Sequence, residues 1–191
     1  MYSIGRAECD RILDFGFAIK NMKNISAFIL ASVGIYLIAC KDPGSNYELQ
    51  KLQAQDSLEH QNIDVVKNFY AFLDSQDTAA LDKVVAKDFA LYFGSSEQPM
   101  IFEQLKPLVK EVYSGFPDYK HEVEIIFASG QYVTSKLKYT GTHLNTYMNV
   151  KPTGKKVTYK GIFIFKVENG LITEMHGMED NLASLIKSEQ Q

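Results

Sequence analysis

Residues 155–180 read KKVTYKGIFIFKVENGLITEMHGMED, and this stretch decides the fold. Over residues 157–167, aromatic and β-branched side chains recur at every second position, which predicts a strand with one buried face. Asn169-Gly170 then favours a tight turn with two positive φ angles. Residues 171–178 predict a second strand that returns antiparallel, so the stretch is predicted to be a β-hairpin.

The second strand of this hairpin places ionisable groups on a partly apolar face. Strict alternation puts Ile172, Glu174, His176 and Met178 on one side, and Asp180 follows in phase if the strand stays extended. Acidic groups on such a face are costly in a purely structural sheet. We therefore expect the functional site on this hairpin.

The N-terminal part of the chain, well before the predicted hairpin, carries features of a targeting signal. Residues 22–39 combine a short basic start with an apolar run that suits a signal peptide and is shorter than the roughly 20 residues of a membrane span. The run ends in Leu37-Ile38-Ala39-Cys40, which resembles the lipobox of bacterial lipoproteins, whose cysteine carries diacylglycerol. The alternative is a buried apolar helix with an incidental cysteine.

This resemblance divides the chain into four predicted parts. Residues 1–21 are an upstream extension from a misassigned start, residues 22–39 the signal peptide, residues 40–62 a lipidated tether, and residues 63–191 the globular domain. Lipidated Cys40 would hold the protein at the membrane of the bacterial cell envelope, on the periplasmic face or in the outer membrane.

Composition limits the chemistry of the domain. The only arginines, Arg6 and Arg11, precede Cys40, and the chain is weakly acidic with a net charge of −3, so we expect no nucleic-acid partner. With Cys40 lipidated and Cys9 upstream of it, the domain has no free thiol. The histidines lack metal-ligand spacing, so we expect no metal site.

Apolar periodicity predicts an α+β fold. It indicates helices at residues 63–73, 78–86 and within 99–114, followed by strands at 120–128 and 132–140 and then the hairpin. Asp77 is the expected N-cap of the second helix, and Pro107 is expected to kink the third or make it start again. Helices followed by antiparallel strands predict a curved antiparallel sheet, a cone-shaped half-barrel packed on three N-terminal helices.

Five short motifs resemble the SnoaL-like polyketide cyclase (ester cyclase) family over residues 63–186. They are Phe116-Pro117-Asp118, Gly141-Thr142-His143, Pro152-Thr153-Gly154-Lys155-Lys156, Gly161, and Glu-Asn-Gly-Leu-Ile-Thr-Glu with Asp180 behind it. The family has the nuclear-transport-factor-like fold, and its cyclases close rings by intramolecular aldol condensation without a cofactor. The resemblance implies that Asp180 is the essential aspartate and that His143 is the motif histidine. His176 stands where the family usually has tryptophan, and Asn145 where it often has glycine.

The candidate site combines this resemblance with elementary acid–base chemistry. A carboxylate in an apolar pocket gains basicity by desolvation, so Asp180 is the candidate base, with His143 or His176 as the donor or acid. The candidate pocket residues are Tyr92, Phe116, Tyr147, Met148 and Phe163. The structural alternatives are that Asp180 caps a helix, that His143 is a buried structural histidine, and that the aromatic residues are core.

Two function classes follow. The first is a cofactor-independent enzyme of the cyclase, isomerase or dehydratase type that acts on a small hydrophobic carbonyl compound. The second is a lipid-anchored envelope protein that binds a small hydrophobic ligand without catalysis. In either case we expect a homodimer, because an open sheet leaves an apolar outer face.

Overall fold

The computed structural model describes residues 43–188, with side chains described for residues 46–187. The sheet and the site described below belong to one compact unit that begins at Gln50. Cys40 and the predicted signal peptide lie outside the described residues.

The described elements are four helical segments and six strands. In chain order they are helix α1 (Pro43–Asp74), a 3₁₀ turn (Ala80–Lys83), β1 (Val85–Phe93), β2 (Met100–Ile101), α2 (Phe102–Gly115), β3 (Lys120–Ser129), β4 (Tyr132–Thr142), β5 (Lys156–Glu168), β6 (Leu171–Glu179) and α3 (Leu182–Ser188).

The six strands form one open sheet in the order β2-β1-β6-β5-β4-β3. Strands β3 to β6 pair antiparallel in sequence, as predicted, and helices pack with the sheet, so the α+β class is confirmed. The sheet as a whole is mixed, because β1 lies parallel to β6. Parallel neighbours need a long connection, and here the chain between them contains α2 and four strands.

The opening hairpin is confirmed in its first strand and its turn. Every second residue of β5 from Val157 to Val167 is buried, as the alternation predicts. Asn169 and Gly170 have φ angles of 54° and 78°, which a two-residue turn of this type requires.

The helical segments differ from the prediction at two places. Helix α1 begins at Pro43, before the predicted residue 63, and buried Asn62 ties it to the sheet by donating its amide to the carbonyl of Gly130 at 2.9 Å.

The predicted second helix is a single 3₁₀ turn, because Val85 already enters β1. The carboxylate of Asp77 accepts a hydrogen bond from Ala80 N at 3.0 Å. Of the two alternatives predicted at Pro107, a restart is not found, because helix α2 runs through this residue from Phe102 to Gly115.

Candidate active site

A cavity of about 480 Å³ lies between the helices and the inner face of the sheet. This volume falls in the range of small-molecule sites. Helices α1 and α2 contribute mainly apolar walls, and the sheet contributes a group of tyrosines. The polar and aromatic residues that line it are Phe69, Tyr70, Phe93, Glu111, Tyr113, Tyr119, His121, Tyr139, Tyr147, Tyr159, Phe163, Glu179, Asp180 and Asn181.

A β-bulge at Thr173 determines which side chains of β6 face this cavity. Val167 pairs with Ile172 and Lys166 pairs with Glu174, so Thr173 has no partner on β5. The alternation therefore changes phase after Ile172. Downstream of the bulge the inward residues are Met175, Gly177 and Glu179, whereas Glu174, His176 and Met178 face outward.

Glu179 is consequently the carboxyl group that β6 places in the cavity. Its side chain is half-buried and accepts a hydrogen bond from the hydroxyl of Tyr139. Burial raises the pKa of Glu179 to about 7; the Tyr139 hydrogen bond opposes this shift and the charge of Asp180 adds to it. None of the ion pairs among the described residues involves Glu179. A carboxyl group of this kind can exchange protons near neutral pH.

A layer of tyrosines surrounds Glu179. The ring of Tyr139 stacks on that of Tyr159 with 4.6 Å between centroids, and the hydroxyls of Tyr159 and Tyr119 share a short hydrogen bond. Burial raises the pKa of all three hydroxyls, so they are neutral and able to donate hydrogen bonds. The cavity therefore combines one basic carboxylate with neutral donors.

Gly161 on β5 makes the contact between Tyr139 and Glu179 possible. A Cβ atom at Gly161 would lie 2.9 Å from Glu179 Cβ and 3.0 Å from Tyr139 Cε2. Such distances are well inside van der Waals contact, so the absence of a side chain lets the ring and the carboxyl group meet. The sequence motif that contains Gly161 thus has a steric reason.

A second polar group in the cavity was not predicted from the sequence. His121 on β3 lines the cavity, and its Nδ1 lies 2.6 Å from Oδ1 of Asp74 at the end of α1. Asp74 also accepts hydrogen bonds from the backbone N of His121 and from the hydroxyl of Tyr113, both at 3.1 Å. Because the partners are 47 residues apart, no local motif could have indicated the pair.

Asp180, the predicted base, is exposed at the rim of the cavity. Its backbone continues the sheet by donating to the carbonyl of Lys160 at 3.1 Å, and its carboxylate accepts from Lys160 N at 3.3 Å. It does not cap α3, because Asn181 does so through a 2.9 Å bond from Ser184 N to Asn181 Oδ1. The expected burial of Asp180 is not found, since the bulge turns Glu179 inward instead.

His143 lies in the core rather than in the cavity wall. It is fully buried, stacks on Phe116 with 5.0 Å between centroids, and its Nδ1 lies 3.3 Å from the backbone N and Oγ1 of Thr153. Burial lowers the pKa of His143, which keeps the ring neutral. Neither His143 nor Phe116 lines the cavity, so the structure does not bring this histidine to Asp180.

His176 and Tyr92 lie on the opposite face of the sheet. Their rings stack with 4.8 Å between centroids, and His176 Nε2 is 2.6 Å from Oε1 of Glu174. The bulge at Thr173 is the reason that His176 points outward. Of the predicted pocket residues, Tyr147, Met148 and Phe163 line the cavity, and Tyr92 and Phe116 do not.

Within the described part of the chain, no group of three or more histidine, cysteine or acidic side chains is arranged to hold a metal ion. Among the helices of residues 43–188, none has the length and apolar composition that crossing a bilayer requires.

The sequence model of the SnoaL-like polyketide cyclase family matches residues 63–186. The chain belongs to this family. The match covers the sheet, the cavity and most of α3, and it begins inside α1.

Solved structures of similar proteins agree with the fold. IdmH from Streptomyces antibioticus, a proposed polyketide cyclase, is 25% identical over 68% of this chain and 99% of its own, with a TM-score of 0.61. A proposed SnoaL-like polyketide cyclase from Jannaschia sp. CCS1 is 23% identical over 67% and 91%, with a TM-score of 0.60. AclR from Streptomyces galilaeus, a proposed hydroxylase, is 20% identical over 70% and 98%, with a TM-score of 0.63. The comparison with curated proteins gives no match.

Proposed function

We propose that the protein is a cofactor-independent acid–base enzyme of the cyclase, isomerase or dehydratase type, acting on a small hydrophobic carbonyl compound, with Glu179 as the base. One observation carries the proposal: a half-buried carboxyl group with a pKa of about 7 faces an apolar cavity of about 480 Å³. Family membership supports the reaction class. The family motif points to Asp180, but the inward carboxyl group is that of the preceding residue.

The first step is removal of a proton from the carbon next to the substrate carbonyl. Ionised Glu179 accepts this proton, and negative charge develops on the carbonyl oxygen. Tyr119 and Tyr159 line the same cavity, and because their neutral hydroxyls share one hydrogen bond, one of the two keeps its hydrogen free to donate to that oxygen. One such preorganised donor contributes on the order of 3–4 kcal/mol to the stability of the transition state.

Proton abstraction can be tested without the natural substrate. We expect the purified protein to catalyse exchange of α-hydrogens of small hydrophobic ketones for deuterium in D₂O, followed by NMR. Glu179→Gln removes the base and should lower the exchange rate by about 100-fold or more. Asp180→Asn should retain exchange, with an optimum at lower pH, because the charge of Asp180 helps to raise the pKa of Glu179.

Glu174→Gln is the matched control for this experiment, since Glu174 lies on the outer face of the sheet. It should leave the exchange rate unchanged. Loss of exchange in Asp180→Asn with full exchange in Glu179→Gln would assign the base to the rim position and contradict the proposal.

The second candidate function is ligand binding without turnover, and the mainly apolar cavity wall favours it. The two functions differ in one outcome. A wild-type protein that binds hydrophobic ketones, measured by quenching of tyrosine fluorescence, but never accelerates their exchange is a binding protein.

We also propose that the domain is lipid-anchored in the bacterial cell envelope and forms homodimers. The anchor rests on the lipobox-like sequence that ends in Cys40. Labelling of cells with a fatty-acid analogue should mark the wild-type protein and not Cys40→Ser. Equal labelling and equal membrane partition of the two proteins would contradict the anchor.

A further inference from the structure

His121 and Asp74 form an oriented acid–base pair on the wall of the cavity that lies across Tyr139 from Glu179. The ring of Tyr139 is 5.2 Å from that of His121, and its hydroxyl bonds Glu179. His121 and Glu179 are therefore both neighbours of Tyr139 in the lining of one cavity, where a single small ligand can contact both.

The hydrogen bonds around Asp74 fix the state of this pair. Burial alone would raise the pKa of Asp74, but the hydrogen bonds and charge of His121, together with the Tyr113 hydroxyl, outweigh burial and hold it below its ordinary value. Asp74 is then an ionised group that only accepts, so Nδ1 of His121 carries the hydrogen and donates it. Nε2 is left as the ring nitrogen that can exchange a proton with a ligand.

We propose that His121 is the acid that protonates an oxygen on the β-carbon of the substrate, and that the substrate is a β-hydroxy carbonyl compound. This inference rests on the proposed function, because Glu179 supplies the base. Asp74 and Tyr113 are positioning residues for His121. An isomerase needs only one group that removes a proton and returns it. An elimination also needs an acid that protonates the leaving oxygen, and a second, separately oriented group such as His121 can serve as that acid.

The proposed reaction is an elimination of water. The Glu179 carboxylate takes the α-proton, and the electron pair of that C–H bond becomes the new C=C bond. The C–O bond at the β-carbon breaks, and the leaving oxygen takes the Nε2 proton of His121 to form water. Glu179 then releases its proton to solvent and His121 takes one from solvent, so the net change is loss of one water from the substrate.

The experiment compares two readouts on one probe, 4-hydroxy-4-phenylbutan-2-one, a small hydrophobic β-hydroxy ketone. Enone formation is followed by absorbance, and α-deuterium exchange by NMR. Because an asparagine amide can keep the hydrogen bond to Asp74, His121→Asn should preserve the fold. It should lower enone formation by about 30-fold or more while exchange stays within about threefold of wild type. Asp74→Asn should shift the same ratio in the same direction by a smaller factor.

His60→Asn is the matched control. His60 also lies beside an aspartate, Asp56, with 3.5 Å between Nδ1 and Oδ1, but this pair is exposed on α1. His60→Asn should therefore change neither enone formation nor α-deuterium exchange. Glu179→Gln should abolish both, which separates failure of the base from failure of the acid.

Three outcomes would overturn the role of His121: equal loss of both readouts in His121→Asn, no loss of either, or wild-type protein that exchanges the probe without forming enone. Wild-type protein that does neither would overturn the proposed function, and the assignment of His121 with it.

Discussion

At the scale of single residues, ionising the carboxyl group of Glu179 is unfavourable in the surroundings that the cavity provides. This carboxyl group is half-buried among tyrosine rings and has one hydrogen-bond donor, Tyr139. An ionised carboxylate in such surroundings loses hydration that a single neutral donor does not replace. The protein is less stable for carrying this charge, and the same property makes the group basic.

The cost of this charge gives a prediction about pH. Because the pKa of Glu179 rises from 4.5 to about 7 on folding, the folded state binds more protons than the unfolded state in this interval. The contribution of Glu179 to the free energy of unfolding is therefore full below pH 4.5 and is lost as pH rises through 7. The free energy of unfolding of Glu179→Gln should equal that of wild type near pH 4.5. At pH 8 it should exceed the wild-type value by about 1–3 kcal/mol.

Urea unfolding at a series of pH values measures this difference. Glu168→Gln is a control of opposite sign, since hydrogen bonds from Lys166 and Thr173 lower the pKa of Glu168. It should not gain stability at pH 8. A pH-independent difference between Glu179→Gln and wild type would contradict the raised pKa.

At the scale of elements, Gly161 and Gly177 on β5 and β6 make room for aromatic rings. A Cβ at Gly161 would collide with Tyr139 and Glu179, whereas one at Gly177 would lie 2.4 Å from Cε1 of Phe163. On both strands an aromatic ring thus lies over a glycine, and the ring over Gly161, that of Tyr139, carries the hydroxyl that bonds the proposed base.

Substituting alanine for each of these two glycines should distinguish a general loss of stability from a specific change in the pKa of Glu179. Both Gly161→Ala and Gly177→Ala overpack the sheet and should cost about 1–3 kcal/mol of the free energy of unfolding. In Gly161→Ala the new methyl group would press on both Glu179 and Tyr139 and should weaken the hydrogen bond between them, so the pKa of Glu179 should rise further, because that hydrogen bond lowers it. In Gly177→Ala the pKa should stay near 7. Carbon NMR of labelled glutamate reads both values, and equal shifts would show that the contact with Tyr139 has no specific effect.

Whether an element is determined by neighbouring residues or by contacts between strands also decided how much of the structure the sequence could predict. The burial of β5 and the Asn169-Gly170 turn followed from local pattern, because alternation and positive φ are encoded in neighbouring residues. The bulge at Thr173 was not predicted, since the loss of one ladder partner depends on how β6 fits both β5 and β1. That single residue moved the inward acid from Asp180 to Glu179 and sent His176 outward. The His121–Asp74 pair depends on tertiary contact alone.

At the scale of the whole molecule, the outer face of the sheet carries apolar side chains that the domain does not cover. They are Ile125, Phe127, Ile162, Ile164 and Met178, each between 44% and 69% exposed. Ile162 pairs with Met178 across β5 and β6, so these two form one continuous surface. Ion pairs such as Lys136 with Glu124 lie on neighbouring strands. An apolar patch bordered by charges is typical of a protein interface.

We therefore predict that the protein dimerises through this outer face. A symmetric dimer buries the same patch on both copies, so one charged substitution acts twice. Ile164→Glu should shift sedimentation velocity profiles from dimer towards monomer at tens of micromolar protein. Leu144→Glu is the control, because Leu144 is similarly exposed at 51% but follows β4 in the loop outside the sheet. Wild-type protein that stays monomeric at the highest soluble concentration, or equal dissociation by both variants, would contradict this interface.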